Sequence, residues 1–121
     1  MSKQNFINFR PYFLAMENNR RAFRIEYKAK DMPTIEVNDK EYPIIDISAT
    51  GLKLWSSNDF HDVHSIEGII HLHVKDLNFK GYITRVNKRS NCTAVNLYPE
   101  LPWGDLILER NYLKNEKGYI I

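Results

Sequence analysis

The sequence has one cysteine, little net charge and no long apolar run among its 121 residues. Because Cys92 has no second cysteine to pair with, no internal disulfide can form, which fits a reducing compartment. No stretch approaches the roughly 18 apolar residues of a membrane helix. The N-terminal residues also lack the apolar core of a signal peptide. We therefore expect a cytoplasmic protein without a membrane span.

The sequence also lacks an excess of one charge, because its 17 basic and 15 acidic residues leave a formal net charge of +2. General nucleic-acid binders usually carry a strong basic excess, so we expect no nucleic-acid polymer as a partner. The length matches one domain, and a domain of this size can bury a stable core without disulfides or bound metals. Recognition of an anionic ligand would have to come from a local cluster of charge.

Short segments with period-two alternation dominate the chain after an aromatic-rich leader, residues 1–19. The leader is predicted either to pack against the domain or to serve as an arm for a partner or for self-association. The predicted strands are residues 23–29, 34–37, 41–47, 51–55, 69–74, 79–86 and 92–98. Such regular spacing with polar turns predicts an antiparallel barrel or sandwich. Helical spacing between Pro102 and Gly118 predicts one C-terminal helix.

Three arginines, Arg20, Arg21 and Arg24, lie within five residues at the start of the first predicted strand. The planar guanidinium group pairs bidentately with phosphate oxygens and with the O6/N7 edge of guanine. It also stacks on flat bases. Three such groups on one short segment predict a clamp for a ligand that carries both phosphates and guanines.

A second pattern, Asp46-x-Ser48-x-x-Gly51, lies where one predicted strand ends and the next begins. Asp46 and Ser48 are two apart and leave the same face of a strand, while Ile45 and Ile47 are expected to point into the core. An ionised carboxylate accepts hydrogen bonds, which suits N1–H and N2–H of guanine, and a hydroxyl can add another contact. Glycine allows a sharp turn or a close approach of a ligand. A strand-end turn without any ligand would also explain this pattern.

Together and in this order, the two patterns resemble the PilZ domain family, whose signature is R-x-x-x-R followed by [D/N]-x-S-x-x-G. The matching residues are Arg20, Arg24, Asp46, Ser48 and Gly51, with Arg21 giving the frequent double arginine. The resemblance covers roughly residues 20–115. It departs where the family often shows G-x-x-F near the last strand, because this chain has Ala94-Val95-Asn96-Leu97 there. That departure concerns barrel packing and leaves the ligand motifs intact.

The resemblance implies a mainly β fold: a six-stranded antiparallel, Greek-key-like β-barrel with a C-terminal α-helix, over residues 20–121. It implies cyclic di-GMP (c-di-GMP) as the ligand, bound by Arg20, Arg21, Arg24, Asp46, Ser48 and Gly51, with the arginine segment folding over it. No cofactor, metal or catalytic residue is implied. The predicted function is a receptor that acts through a partner protein, still unidentified.

Two other functions compete with this one. A ligand-independent PilZ-like adaptor could work in motility, secretion or surface-attachment machinery. A single-stranded nucleic-acid barrel would need aromatic platforms along a basic groove, which the near-neutral charge disfavours.

Several single residues are further candidates for a functional role. Trp55 is expected to face outward, where it would stack on a base or pack at the rim, and Arg85 is a second possible ligand contact. The four histidines, His61, His64, His71 and His73, are expected to be solvent-facing rather than metal ligands. Cys92 is expected to pack in a strand. Because no arrangement of nucleophile and base is evident, we do not expect an enzyme.

Overall fold

The computed structural model describes residues 23–121, which form seven strands and one long helix. The strands are β1 (Arg24–Glu26), β2 (Thr34–Val37), β3 (Lys40–Ser48), β4 (Gly51–Leu54), β5 (Ser65–His71), β6 (Asp76–Asn87) and β7 (Cys92–Leu97), and the helix is α1 (Trp103–Lys117). The predicted leader, Arg20 and Arg21 lie outside the described residues.

Six of these strands close into a barrel in which every neighbouring pair is antiparallel. The order around the barrel is β2, β3, β4, β7, β6 and β5, and β5 pairs again with β2. Strand β1 pairs with the second half of β3, next to the place where β2 pairs with the first half. Closure removes the exposed edges that an open sheet would present. The predicted six-stranded barrel with a C-terminal helix is therefore confirmed.

A bulge in β3 decides which of its side chains enter the core. The register between β3 and β4 shifts between Ile44 and Asp46, so that Ile45 is an extra residue. Ile44 and Ile47 are fully buried, whereas Ile45 is half-buried. The expectation that Ile45 points into the core was therefore wrong, because an inserted residue reverses the strict alternation of a strand.

Helix α1 is joined to the barrel by a buried carboxylate as well as by apolar packing. Glu109 is fully buried, and it accepts hydrogen bonds from the Tyr27 hydroxyl at 2.8 Å and the Val74 amide at 3.3 Å. Burial, and next to it the Glu109 carboxylate, raise the pKa of Tyr27, so its hydroxyl stays protonated and donates. Glu109 therefore ties the helix to the segment just after β1.

His73 is an exposed residue, as predicted, but its side chain is partly covered by helix α1. Its Nδ1 lies 2.6 Å from Oε2 of Glu109, its side chain is 21% exposed, and its ring stacks on Tyr112 at 5.2 Å between centroids. The sequence did not predict these contacts because the helix that His73 touches is distant in sequence.

His71 provides a test of the barrel's electrostatics. Its ring nitrogens lie 2.8 Å from Asp76 and 3.1 Å from Glu36, and hydrogen bonds with Asp76 first and Glu36 second raise its pKa. The resulting stability is fully present below the ordinary imidazole pKa of about 6.5 and is lost as pH rises through the raised value. We expect His71→Gln to lower the free energy of unfolding clearly at about pH 5.5 and much less at about pH 9.

Urea denaturation at both pH values checks this prediction. His64→Gln, at an exposed histidine, is the matched control and is expected to change little at either pH. An equal loss of stability at both pH values for His71→Gln would refute the assigned ion pairs.

Candidate functional site

The candidate site lies on the outer face of the barrel where β1 meets the end of β3. The register places Arg24 opposite Ser48 and Glu26 opposite Asp46. The Arg24 guanidinium forms an ion pair with Oδ1 of Asp46, and Nζ of Lys53 lies 3.8 Å from Oδ2. The structure thus brings together one residue from each predicted motif. Both oxygens of the Asp46 carboxylate face a cation.

The ion pair leaves binding capacity on both partners. Arg24 engages Asp46 through one terminal nitrogen and its side chain is 45% exposed, so other donors of its fork face solvent. Among residues 23–121, Oδ2 of Asp46 forms its ion pair with the more distant Lys53. A charge-assisted hydrogen bond of this kind holds the guanidinium group beside the carboxylate. Asp46 therefore presents Arg24 to the solvent side while keeping one oxygen able to accept.

Ser48 and Gly51 form the tight connection between β3 and β4. Ser48 is 2% exposed. Its Oγ accepts a hydrogen bond from the Gly51 amide at 3.2 Å and lies 3.3 Å from the Gly51 carbonyl oxygen. A Cβ at Gly51 would lie 3.0 Å from the backbone oxygen of Val95, which is a close approach of β4 and β7. The Ser48 hydroxyl is thus engaged in the turn, as the ligand-free explanation of this pattern expects.

An open cavity of about 470 Å³ lies above these residues, a volume within the usual range for small-molecule sites. Its lining includes Arg24, Asp46, Gly51, Lys53, Arg85 and Ala94. Arg85, a candidate from the sequence, therefore lies in the same cavity as the two motifs. Trp55 is 47% exposed but does not line it.

Lys53 is a site residue that the sequence patterns did not predict, although a signal for it exists. It lies two residues after Gly51 on β4, and the register places it directly opposite Asp46. Counting back across a tight β3–β4 connection would have predicted this pairing, because facing residues of a hairpin share a face.

Residues 23–121 contain neither a clustered metal site nor a membrane-spanning helix. No group of three His, Cys, Asp or Glu side chains in this part of the chain is placed to hold a metal ion. The helix within these residues is not long and apolar enough to cross a membrane.

Comparison with solved structures identifies similar folds in three bacterial proteins. The Legionella protein Lpg0364, described as uncharacterized, has 15% sequence identity and a TM-score of 0.56, covering 80% of this chain and 99% of that one. The Bacillus subtilis inhibitor of motility MotI/DgrA has 12% identity and a TM-score of 0.58, covering 81% of this chain and 51% of its own. PlzA of Borreliella burgdorferi, in complex with c-di-GMP, has 17% identity and a TM-score of 0.49, covering 85% and 45%.

These matches define what the chain shares with known proteins. The chain spans about half the length of MotI/DgrA and of PlzA. No protein-family model matches the sequence, and no curated protein matches it significantly. At such low identities the shared property is the fold, and it is the fold that the motif resemblance implied. Residues 23–121 share their barrel fold with Lpg0364 and with part of MotI/DgrA.

Proposed function

We propose that this protein is a cytoplasmic, non-enzymatic receptor that binds cyclic di-GMP and acts through a partner protein. The proposed ligand-binding residues are Arg20, Arg21, Arg24, Asp46, Ser48 and Gly51. The observation that carries the proposal is the Arg24–Asp46 pair in the wall of an open cavity of about 470 Å³.

The chemistry of this pair suits both parts of the ligand. Cyclic di-GMP carries phosphodiester groups, which need donors, and guanine bases, which offer acceptors on one edge and donors on the other. The free N–H groups of Arg24 suit a phosphate or the O6/N7 edge. Oδ2 of Asp46, which lies 3.8 Å from Nζ of Lys53, suits the donors of the Watson–Crick edge. Donors and an acceptor thus stand side by side at the mouth of one cavity.

The proposed switch uses the segment that leads into β1. Strand β1 is three residues long and pairs only with the end of β3 among the described strands. Arg20 and Arg21 precede it by a few residues, so a ligand held by Arg24 would be within their reach. Closing this segment over the ligand would change the surface that a partner meets, a common form of order–disorder signalling.

Replacing Arg24 with alanine tests the site. The loss of its charge-assisted hydrogen bonds, about 1.5–3 kcal/mol, predicts roughly tenfold to hundredfold weaker binding of cyclic di-GMP. Isothermal titration measures this, with GTP and cyclic di-AMP as ligand controls. Arg89→Ala is the matched protein control because Arg89 is exposed in the β6–β7 turn and does not line the cavity. An unchanged affinity in Arg24→Ala would reject the assigned site, and no heat with the wild type would reject the receptor function.

One observation favours a second candidate, the ligand-independent adaptor. The Arg24–Asp46 pair and the Ser48–Gly51 hydrogen bonds satisfy the motif residues without any ligand. An adaptor predicts that the wild type gives no heat with cyclic di-GMP. It also predicts that capture of a partner protein is the same for wild type and Arg24→Ala.

A further inference from the structure

A row of four residues crosses the outer face of the barrel next to the Arg24–Asp46 pair. Asp46 on β3 lies opposite Lys53 on β4, Lys53 lies opposite Ala94 on β7, and Ala94 lies opposite Arg85 on β6. We call these residues the cross-strand row. It carries one acid and two bases around a single small residue.

Both ends of the cross-strand row are set by β-bulges. The bulge at Ile45 directly precedes Asp46, whose largely buried side chain contacts Arg24 and Lys53 and lines the cavity. On β6 the register runs from Ile83 opposite Val95 to Arg85 opposite Ala94, so Thr84 is an extra residue. Without that insertion Thr84 would face Ala94, and Arg85 would take the inward side on which Ile83 and Val86 pack against the core. Bulges often re-aim side chains beside functional sites.

The charges of the row are poorly neutralised at its Arg85 end. Arg85 is exposed and forms no ion pair with any other residue in the described part of the chain. Lys53 lies 3.8 Å from Asp46, a carboxylate already engaged by Arg24. The register places Ala94, with its single methyl group, between the two bases. Arg85 and Lys53 both line the main cavity and a smaller adjoining one of about 150 Å³.

We propose that Lys53 and Arg85 form a second anion subsite above Ala94, which holds a phosphodiester group of the bound nucleotide. The inference rests on the proposed receptor function. Their strands are separated by two strand spacings, roughly 10 Å, so the two long side chains can converge on one phosphate between them. Ala94 provides the space because any larger side chain at that position would stand where the phosphate sits.

The subsite has a consequence for ligand selection. The Arg24–Asp46 pair and the Lys53–Arg85 subsite lie on different strands of one continuous face. A guanine mononucleotide has one phosphate group, so it cannot pair one phosphate with Arg24 and another with Lys53 and Arg85 at the same time. A cyclic dinucleotide can, because its two halves are joined. The second subsite therefore predicts selection of a dinucleotide over GMP.

Two variants test the subsite by different means. Arg85→Gln removes the charge, and Ala94→Leu fills the space without changing any charge. Each is expected to weaken cyclic di-GMP binding about tenfold in isothermal titration, the value of one charge-assisted contact. Arg85→Lys is expected to recover most of the affinity, and Arg89→Gln is expected to bind like the wild type. Circular dichroism spectra of all variants are expected to match that of the wild type, which excludes loss of folding as the cause of weaker binding.

The outcomes separate this inference from the proposed function. The second subsite would be rejected if Arg24→Ala weakened binding of cyclic di-GMP while Arg85→Gln and Ala94→Leu bound it like the wild type. That result would still support the receptor function. Absence of any wild-type binding would overturn both. Because Arg85 is exposed, the melting temperature of Arg85→Gln is expected to match that of the wild type.

Discussion

Replacing Glu109 with alanine is expected to lower the free energy of unfolding by about 3 kcal/mol or more. Glu109 is fully buried and accepts hydrogen bonds from the Tyr27 hydroxyl and the Val74 amide, with His73 at 2.6 Å. Removing the carboxylate leaves these groups without their partner in a site that water reaches poorly. The unmade hydrogen bonds and the void both contribute to the loss.

Urea denaturation followed by circular dichroism measures this effect. Tyr27→Phe deletes one donor and keeps the ring, so it is expected to lose only about 1 kcal/mol. Glu116→Ala removes an exposed glutamate from the same helix and is expected to change stability by less than about 0.5 kcal/mol. If Glu109→Ala changed the free energy of unfolding as little as Glu116→Ala, the buried cluster would not stabilise the packing of the helix on the barrel.

The same cluster connects the helix to the candidate site. Tyr27 directly follows β1, the strand that carries Arg24. The next amide, that of Lys28, donates to the Tyr119 hydroxyl at 2.7 Å, and this hydroxyl donates to Asp31 at 2.9 Å. Residues beyond the end of α1 thus hold the segment after β1 in place. A change at Glu109 is therefore expected to loosen the strand that presents Arg24.

The sequence predicted the barrel because most strands follow the period-two pattern closely. The prediction was less accurate for β5, which was expected over residues 69–74 and spans Ser65–His71 in the structure. The start was missed because the outward residues Ser65 and Glu67 continue a polar loop. The end was overestimated because Val74, apolar and in phase, lies in the turn before β6. Composition alone does not distinguish a strand from a turn that packs on a helix.

The candidate site was predicted only as far as local pattern reaches. The shared face predicted for Asp46 and Ser48 rests on their spacing within one strand; Asp46 lines the cavity, whereas Ser48 is buried and bonded to Gly51. The positions of Ile45 and Arg85 depend on how β3 and β6 pair with their neighbours. A bulge is a property of two strands together, and no periodicity within one strand reveals it. The row that joins Lys53 to Arg85 could therefore be recognised only from the folded register.

Gly68 on β5 is the position where a single methyl group is expected to do the most damage to the barrel. A Cβ there would lie 2.0 Å from the backbone oxygen of Glu36 on β2 and 3.4 Å from Cε1 of Phe79. The Glu36 backbone is fixed, because β2 pairs with β3 on one side and with β5 on the other. We expect Gly68→Ala to lower the free energy of unfolding by about 3 kcal/mol or more, since the strands must separate to admit the methyl group.

Gly104→Ala is the matched control for this substitution. Gly104 lies in the first turn of α1, where a Cβ would meet no neighbouring side chain or strand of residues 23–121 within 4 Å, so alanine there is expected to stabilise by up to about 1 kcal/mol. Thermal and urea unfolding of both variants compare the two glycines directly. Wild-type stability in Gly68→Ala would contradict the close approach of β2 and β5. Since β2–β5 is the pairing that completes the ring, that result would also reject the closed barrel on whose outer face Arg24, Asp46 and Arg85 are brought together.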